Sequence, residues 1–426
     1  MKKETKIKKS ENKPFAKKKV IKHEKIEVED ENVREIVVER DNGFNTVEVI
    51  VIILISILFG LVIGYILSST RTFGSKVSDE ASEIVTTYDT ILKNYYNEIE
   101  PSELADAAIA GMIGILDDPY SIYMNSGDTE SFLESVNGSF VGIGINVEWN
   151  NGRFRIISVF EDSPASKAGL KVEDIIIKVD DKNVEGLTLD EMSNLIKGKS
   201  GSKVSLTVLR GEEEVTVVAK RGVVEIPSVS SDILEESIGY IKIDSFSATT
   251  SDQFSKKLKS MEEKNISSLV IDVRDNPGGK LGQVNKILEK FFSKKTVLYQ
   301  IVTKDKTTKV YDDTSDNRDY PVVVLVNNGS ASAAEILAAS FQDNYKDVTI
   351  VGTVTYGKGT IQKAIELSSG ASIKYTTQKW LTPKGKWINE KGVIPDEIIE
   401  QGDKYGANPT YANDVQLQKA VEILKK

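Results

Sequence analysis

Three short segments hold the residue types that could carry a reaction. Arg274-Asp275-Asn276-Pro277-Gly278-Gly279 offers backbone N–H donors after a turn, and Asn327-Asn328-Gly329-Ser330-Ala331-Ser332-Ala333-Ala334-Glu335 offers hydroxyls at a helix start. The third, Gly352-Thr353-Val354-Thr355-Tyr356-Gly357-Lys358-Gly359-Thr360-Ile361-Gln362, sets a lysine on a glycine-flanked loop. A hydroxyl nucleophile, an amine base and backbone donors for an oxyanion are enough for acyl transfer without imidazole. Composition imposes the same restriction. The 426 residues include no cysteine and one histidine, His23, which lies among lysines near the N-terminus. Disulfides, thiolate metal sites and cysteine nucleophiles are therefore excluded, and beyond that tail so are histidine metal sites and Ser-His-Asp triads. No metal and no cofactor is expected.

Each segment also has an ordinary structural reading. Ser332 and Glu335 match the capping box Ser-x-x-Glu, and a serine at a helix start is most often only a cap. The loop ending at Lys358 approaches the phosphate-binding pattern Gly-x-x-x-x-Gly-Lys-Ser/Thr, but Gly359 stands where a hydroxyl is required. The following residues 361–367 read as a strand where that motif needs a helix, which sets nucleotide binding aside. Asn276-Pro277-Gly278-Gly279 taken alone is a common turn.

The elements that must position these segments can be read from apolar patterning. Residues 239–243, 269–273, 322–326 and 349–351 read as buried strands, and 249–263, 281–292 and 333–341 as helices. That alternation predicts an α/β core with a partly parallel sheet, with the three segments at strand ends, where such sheets place their sites. Upstream, 77–97 and 102–116 read as a helical hairpin broken at Pro101. Asp118-Pro119-Tyr120-Ser121 then signals a turn, followed by a polar stretch to Gly138. From Ser139 the texture changes to short strands over 140–147, 154–159, 175–179, 203–210 and 215–220, interrupted by a helix over 189–197.

Near the N-terminus, residues 49–67 are interrupted only by Ser56, Gly60, Gly64 and Tyr65. At 1.5 Å per residue such a run is long enough to cross a bilayer core, and the 46 residues that precede it are too long a lead for a cleaved signal. It is read as an uncleaved transmembrane anchor. Residues 1–25 hold 11 Lys/Arg against 3 Asp/Glu, so the tail is placed in the cytoplasm and the rest of the chain outside it. The tail's charge and scarcity of aromatics predict disorder. The portion beyond the anchor is more acidic than the whole-chain net charge of −9, which argues against a nucleic-acid partner.

Phe140-Val141-Gly142-Ile143-Gly144-Ile145, Ser163-Pro164-Ala165, Ala168-Gly169-Leu170 and Asp174-Ile175-Ile176, taken together, resemble a PDZ domain. Such a module leaves a groove in which a partner's C-terminal strand adds to a sheet edge while loop N–H groups hold its carboxylate. Val141, Gly142, Ile143, Gly144 and Ile145 are the corresponding residues here. One departure is Glu173, where bacterial members usually carry glycine.

The three chemical segments in this order, with Asp118-Pro119-Tyr120-Ser121 before the PDZ-like stretch, resemble the carboxy-terminal processing peptidases, S41-family Ser-Lys peptidases with a PDZ domain. The resemblance covers about residues 77–400. It implies Ser332 as nucleophile, Lys358 as general base, Gln362 as the residue orienting the lysine, and the N–H groups of Ala333 and of Gly278 or Gly279 as oxyanion donors. Joined to the tail and apolar run read above, it gives a multidomain chain: cytoplasmic tail (1–46), transmembrane anchor (47–68), helical N-terminal region (77–137), PDZ domain (138–222), a ClpP/crotonase-like α/β peptidase core (223–400) and a C-terminal helical segment (401–426). The expected function is a membrane-anchored extracytoplasmic serine endopeptidase that recognises free, apolar protein C-termini and cleaves nearby. Its partners would be protein substrates and the lipid bilayer, with a homo-oligomer left open. The alternative is a catalytically silent PDZ scaffold. The lysine must be neutral to act, so its ordinary pKa of about 10.4 must fall, and burial beside Val354, Tyr356 and Ile361 is expected to lower it.

Overall fold

The computed structural model describes residues 78–426 apart from 236, 408 and 409, together with 47, 49–51 and 53–60. Residues 1–99 and 100–426 form two units. In the first, residues 53–60 are helical with exposed apolar side chains, among them Leu54, Leu58 and Phe59. The rest of the expected anchor, from residue 61 on, lies outside the described residues, as does the tail. Among the described residues no helix is long and apolar enough to cross a membrane. Helix α1 (Asp79–Asn94) completes this unit, with the Ser78 hydroxyl accepting from the Ala81 N–H.

The second unit opens with α2 (Pro101–Gly114). The expected break falls between α1 and α2, and Pro101 begins the second helix, where its fixed φ suits the first turn and its missing N–H has no intrahelical role. After β1 (Ile122–Met124) the polar stretch folds as α3 (Ser126–Asn137), a helix that the sequence reading did not include. The Asn125 side chain accepts from the Asp128 N–H at 2.9 Å, and Gly138 at φ 64° ends the helix. Polar composition hides the helix because its start is set by the cap and not by an apolar stripe.

The PDZ-like part comprises β2 (Ser139–Gly142), β3 (Ile145–Asn150), β4 (Arg153–Val159), α4 (Pro164–Ala168), β5 (Ile175–Val179), β6 (Lys182–Asn183), α5 (Leu189–Ile196), β7 (Lys203–Arg210), β8 (Glu213–Lys220) and β9 (Gly222–Glu225). The single strand expected over 140–147 is two. The chain turns at Ile143-Gly144, where Gly144 has φ 83° and a Cβ would lie 2.5 Å from the Ser163 Cβ. β2 pairs with β9 as a ribbon, whereas β3, β4, β5, β7 and β8 form one antiparallel sheet with β3 at its edge. Ile143, Phe154, Ile156, Leu206 and Met192 fill its core.

The remaining chain forms β10 (Val229–Leu234), β11 (Ile238–Ile243), α6 (Thr250–Glu262), β12 (Ser268–Asp272), α7 (Leu281–Leu288), β13 (Val297–Val302), β14 (Thr307–Tyr311), β15 (Val322–Val326), α8 (Ala333–Asn344), β16 (Val348–Gly352), β17 (Thr360–Glu366), β18 (Ser372–Leu381), β19 (Glu397–Ile398) and α9 (Val415–Leu424). The central sheet runs β10-β11-β12-β15-β16-β19, and only β10–β11 is antiparallel. Every residue of β12 and β15 is buried, because both faces are covered. Leu269, Ile271, Val322 and Val324 face α6, α7 and α8, while Val270, Val323 and Leu325 face α9. A second sheet, not foreseen, joins β1, β18, β13 and β14, with β17 also on β18. Its members are scattered from residue 122 to 381, so no local pattern reveals their pairing.

Glu173 adopts φ 73°. A side chain in that left-handed region costs about 1–2 kcal/mol, and the exposed ion pair Glu173 makes with Arg155 at 2.8 Å offsets little of it. Glu173→Gly is expected to stabilise the protein by roughly 0.5–1 kcal/mol, read as a higher denaturant midpoint. A lower midpoint would mean that the ion pair outweighs the strain.

Candidate active site

The central sheet delivers the three segments to one place through backbone bonds. β12 ends at Asp272 and leads into the Asp275–Gly279 turn, β15 ends at Val326 and leads to Ser332, and β16 ends at Gly352 and leads to Lys358. Ala331 N–H donates to Asn276 O at 2.9 Å, Tyr356 N–H to Ser330 O at 3.0 Å, and Thr353 N–H to Val326 O at 3.1 Å. Gly278 has φ 96°, and a Cβ there would lie 2.9 Å from the Ser332 Cβ and 3.0 Å from the Ala333 nitrogen. Only glycine lets the turn approach the start of α8 this closely.

The two serines differ in what they do. Ser330 is fully buried; its hydroxyl donates to Val273 O at 2.7 Å and accepts from the Asn327 N–H at 3.0 Å. It holds two loops together. Ser332 is half-buried at the first position before α8, with φ 53° and ψ −111°. That backbone conformation is unfavourable for a residue with a side chain, and strain of this kind concentrates at functional positions. Its hydroxyl leans toward the helix start in capping-box fashion without completing a cap hydrogen bond.

Glu335, read from the sequence only as a capping partner, is the residue that joins the site. Its carboxylate is completely buried and accepts from Ser332 N–H (2.7 Å), Lys358 N–H (2.8 Å), Gly357 N–H (2.7 Å) and the Thr355 hydroxyl (2.6 Å). Ser332 and Lys358 donate their backbone N–H groups to the same oxygen, Oε2, which brings the two backbone segments together. The Thr355 hydroxyl itself accepts from Val393 N–H at 2.7 Å, so its proton goes to Glu335. Burial pushes the Glu335 carboxyl upward, and the four donors oppose that rise.

The Lys358 backbone is pinned at both ends, by Glu335 at the N–H and by the Trp380 indole, which donates to Lys358 O at 2.8 Å. Its amine lies 4.4 Å from the centroid of the Tyr120 ring and makes no hydrogen bond among the described residues. Burial and then the charge of Lys374 hold the amine below the ordinary lysine range, against Asp118 and Glu335. The direction matches expectation, but two of the expected neighbours do not. Val354 is 38% and Tyr356 56% exposed, and the aromatic face over the amine belongs to Tyr120, from the Asp118-Pro119-Tyr120-Ser121 turn. That turn is built on Asp118, which accepts from Ser121 Oγ at 2.6 Å and Tyr120 N–H at 3.1 Å.

Gln362 does not bond to Lys358. Its amide nitrogen donates to Thr360 Oγ1 at 2.9 Å and Thr376 Oγ1 at 3.0 Å, across β17 and β18. Of the glycine pair, the Gly278 N–H donates to Asn276 Oδ1 at 2.8 Å. The Gly279 and Ala333 N–H groups have no partner among the described residues. Gly278 O and Lys280 N–H both bond to Phe246, which turns the Gly279 N–H to the opposite side.

In the PDZ-like part, the Ile143 and Gly144 N–H groups are likewise without partners, while Ile143 O accepts from Ala165 N–H at 2.8 Å. Val141 and Gly142 belong to the β2–β9 ribbon, and Ile145 begins the edge strand β3. A cavity of about 750 Å³ adjoins this loop, lined by Phe140, Val141, Leu133, Glu134 and Lys197 among others, and not by Ser332 or Lys358.

A hydrolytic site on an α/β core with a PDZ-like module is the class that this geometry defines. The family model for peptidase family S41 matches residues 237–399, that for a PDZ domain 141–220, and that for the activating protease CtpB N-terminal domain 66–128. The carboxy-terminal processing protease CtpB of Bacillus subtilis (strain 168) is 39% identical over 83% of this chain and 74% of its own length. The carboxy-terminal processing protease CtpA of the same organism is 40% identical over 74% of this chain and 68% of its own. A solved photosystem II D1 C-terminal processing protease aligns over 76% of this chain and 94% of its own, with 23% identity and a TM-score of 0.44. On the sequence relatives, this chain belongs to peptidase family S41 and is a serine-type carboxy-terminal processing protease with a PDZ domain.

Ser330→Ala is expected to leave the Asn327 N–H unsatisfied and Val273 O with the Asn276 N–H alone, at a cost of about 1–3 kcal/mol in stability. Proteolysis assayed well below the unfolding transition should be nearly unchanged. Loss of activity in a fully folded Ser330→Ala protein would give this hydroxyl a role in the reaction.

Proposed function

We propose that this protein is a membrane-anchored, extracytoplasmic endopeptidase that recognises protein C-termini with its PDZ domain and cleaves with a Ser332–Lys358 dyad. The observation that supports the dyad is the shared Glu335 oxygen, to which the backbones of both residues donate, while the lysine amine makes no ion pair among the described residues. In the reaction the neutral Lys358 amine leaves the Tyr120 face, takes the Ser332 proton as the oxygen attacks the scissile carbonyl, and then protonates the departing amine. Water hydrolyses the acyl-enzyme with Lys358 again as base. Ala333 N–H and Gly279 N–H hold the oxyanion; Gly279 is favoured because the Gly278 N–H is already committed to Asn276. Gln362 acts at one remove, by fixing β17 against β18 below the lysine loop. The apolar run over 49–67, which only begins within the described residues, supports the anchor, and the lysine-rich tail supports its orientation.

Ser332→Ala should abolish cleavage of an unstructured protein ending in apolar residues while leaving the fold intact. Lys358→Arg should be folded and inactive, since guanidinium does not deprotonate in the working range. The wild-type rate should rise with pH, because the lowered lysine pKa puts the neutral amine on the alkaline side of the titration. Full activity in Lys358→Arg would exclude the dyad.

The unpartnered Ile143 and Gly144 N–H groups support recognition of a free carboxylate beside the β3 edge. A peptide ligand with an amidated C-terminus should therefore bind at least about tenfold more weakly than the free acid, given the strength of charge-assisted bonds. Equal affinities by calorimetry would remove the groove model.

A further inference from the structure

We infer that Asp414 is a positioning residue for the oxyanion turn, acting through the buried guanidinium of Arg274 at the end of the central strand. The inference rests on the role proposed above for that turn. Asp414 lies beyond the residues 237–399 that match the family model.

Arg274 follows β12 by two residues and immediately precedes the turn 275–279. Its side chain crosses to the sheet face covered by α9, where Arg274, Asp272, Asp414 and Gln416 are all buried. Nη1 donates to Asp414 Oδ1 at 2.9 Å and Gln416 Oε1 at 3.0 Å; Nη2 donates to Asp414 Oδ2 at 2.8 Å and Asp272 Oδ2 at 2.6 Å; Nε donates to Asp272 Oδ1 at 3.0 Å. Every guanidinium N–H is thus used. Asp414 also accepts from Leu417 N–H at 2.9 Å, capping α9, and from Gln401 at 2.8 Å.

On the opposite side the turn is tied to the segment that carries Ser332 and to the end of β11. Asp275 N–H donates to Asn327 Oδ1 at 2.8 Å, Asn276 Nδ2 to Ile243 O at 2.8 Å, and Ala331 N–H to Asn276 O. The turn is therefore held at its far side by Ser332's own segment, by Ile243 and by Phe246, and at its leading residue Arg274 by Asp414 and Asp272. α9 does not need the ionic anchor to stay on the sheet, because Leu417, Ala420 and Val421 already bury against Val270, Val323 and Leu325. A buried ion pair adds little net stability over apolar packing, but it fixes direction. With Asp414 neutralised, two buried guanidinium N–H groups lose a charged acceptor, Arg274 shifts to recover one, and residues 275–279 move with it.

The test compares the full chain with Asp414→Asn, which keeps the side chain's shape, Asp414→Glu, which restores the charge, and Glu422→Gln as a control on α9. Each is assayed on fluorescein-labelled casein well below its unfolding midpoint, and amide hydrogen exchange is followed over 274–281 and 415–424. Asp414→Asn is expected to lower kcat roughly 10- to 100-fold, the loss that a small misplacement of catalytic groups brings, with KM unchanged. Exchange should quicken in 274–281 and not in 415–424, Asp414→Glu should recover part of kcat, and Glu422→Gln should match wild type. Unchanged kcat, activity that falls only with the folded fraction, or faster exchange confined to 415–424 would overturn the inference. Should the wild type itself leave casein intact, the proposed reaction is what fails, and exchange at 274–281 in Asp414→Asn still decides whether Asp414 holds the turn.

Discussion

The buried carboxylate of Glu335 is the interaction on which this site depends. An unpaired carboxylate inside a protein is penalised by several kcal/mol, so burial of Glu335 is tolerable only if its oxygens are saturated by donors. The donors come from Ser332 at the start of α8 and from Thr355, Gly357 and Lys358 in the loop after β16. Satisfying one charge thereby forces two segments, more than twenty residues apart, into a single arrangement. Ser332's positive φ and the close approach of Gly278 are tolerated within that frame.

The sheet supplies the directions and the loops the chemistry. Parallel strands β12, β15 and β16 end at the same edge, so the turn, the serine and the lysine emerge together. The antiparallel sheet acts from the lysine side: Trp380 on β18 holds the Lys358 carbonyl, and the Thr376 N–H on the same strand donates to Ser121 Oγ beside Asp118. That second bond brings the Tyr120 ring over the amine. Among the described residues the lysine amine faces the Tyr120 ring and has no carboxylate in contact, and burial and Lys374 disfavour its charge against Asp118 and Glu335.

The PDZ-like module is joined to the core through the β2–β9 ribbon, and α3 reaches from that junction to the second sheet. The Thr129 hydroxyl meets the Ser372 hydroxyl of β18 at 2.9 Å, and Lys197 lies 3.7 Å from Glu134 across the neighbouring cavity. Contacts of this kind connect the PDZ-like module to the strand that underlies the lysine, with a polar helix as the intermediary.

What the sequence determined by itself was whatever depends on residue type and local order. The absence of cysteine and the single His23 restricted the chemistry to carboxylate, hydroxyl, lysine, tyrosine and backbone groups. The apolar runs of β11, β12, β15 and β16 announced a doubly covered sheet, and the ordered motifs placed Ser332, Lys358 and the glycine pair at its strand ends. Tertiary structure alone decided which of two serines is spent on scaffolding, since Ser330 and Ser332 differ only in what surrounds them. It also decided that Glu335 is more than a cap, that Tyr120 and not Tyr356 covers the lysine, that Gln362 bonds across strands, and that Asp414 reaches Arg274. Each of these is a contact between groups far apart in sequence, made because a buried donor, acceptor or charge must find a partner, and local patterning carries no record of which partner that is.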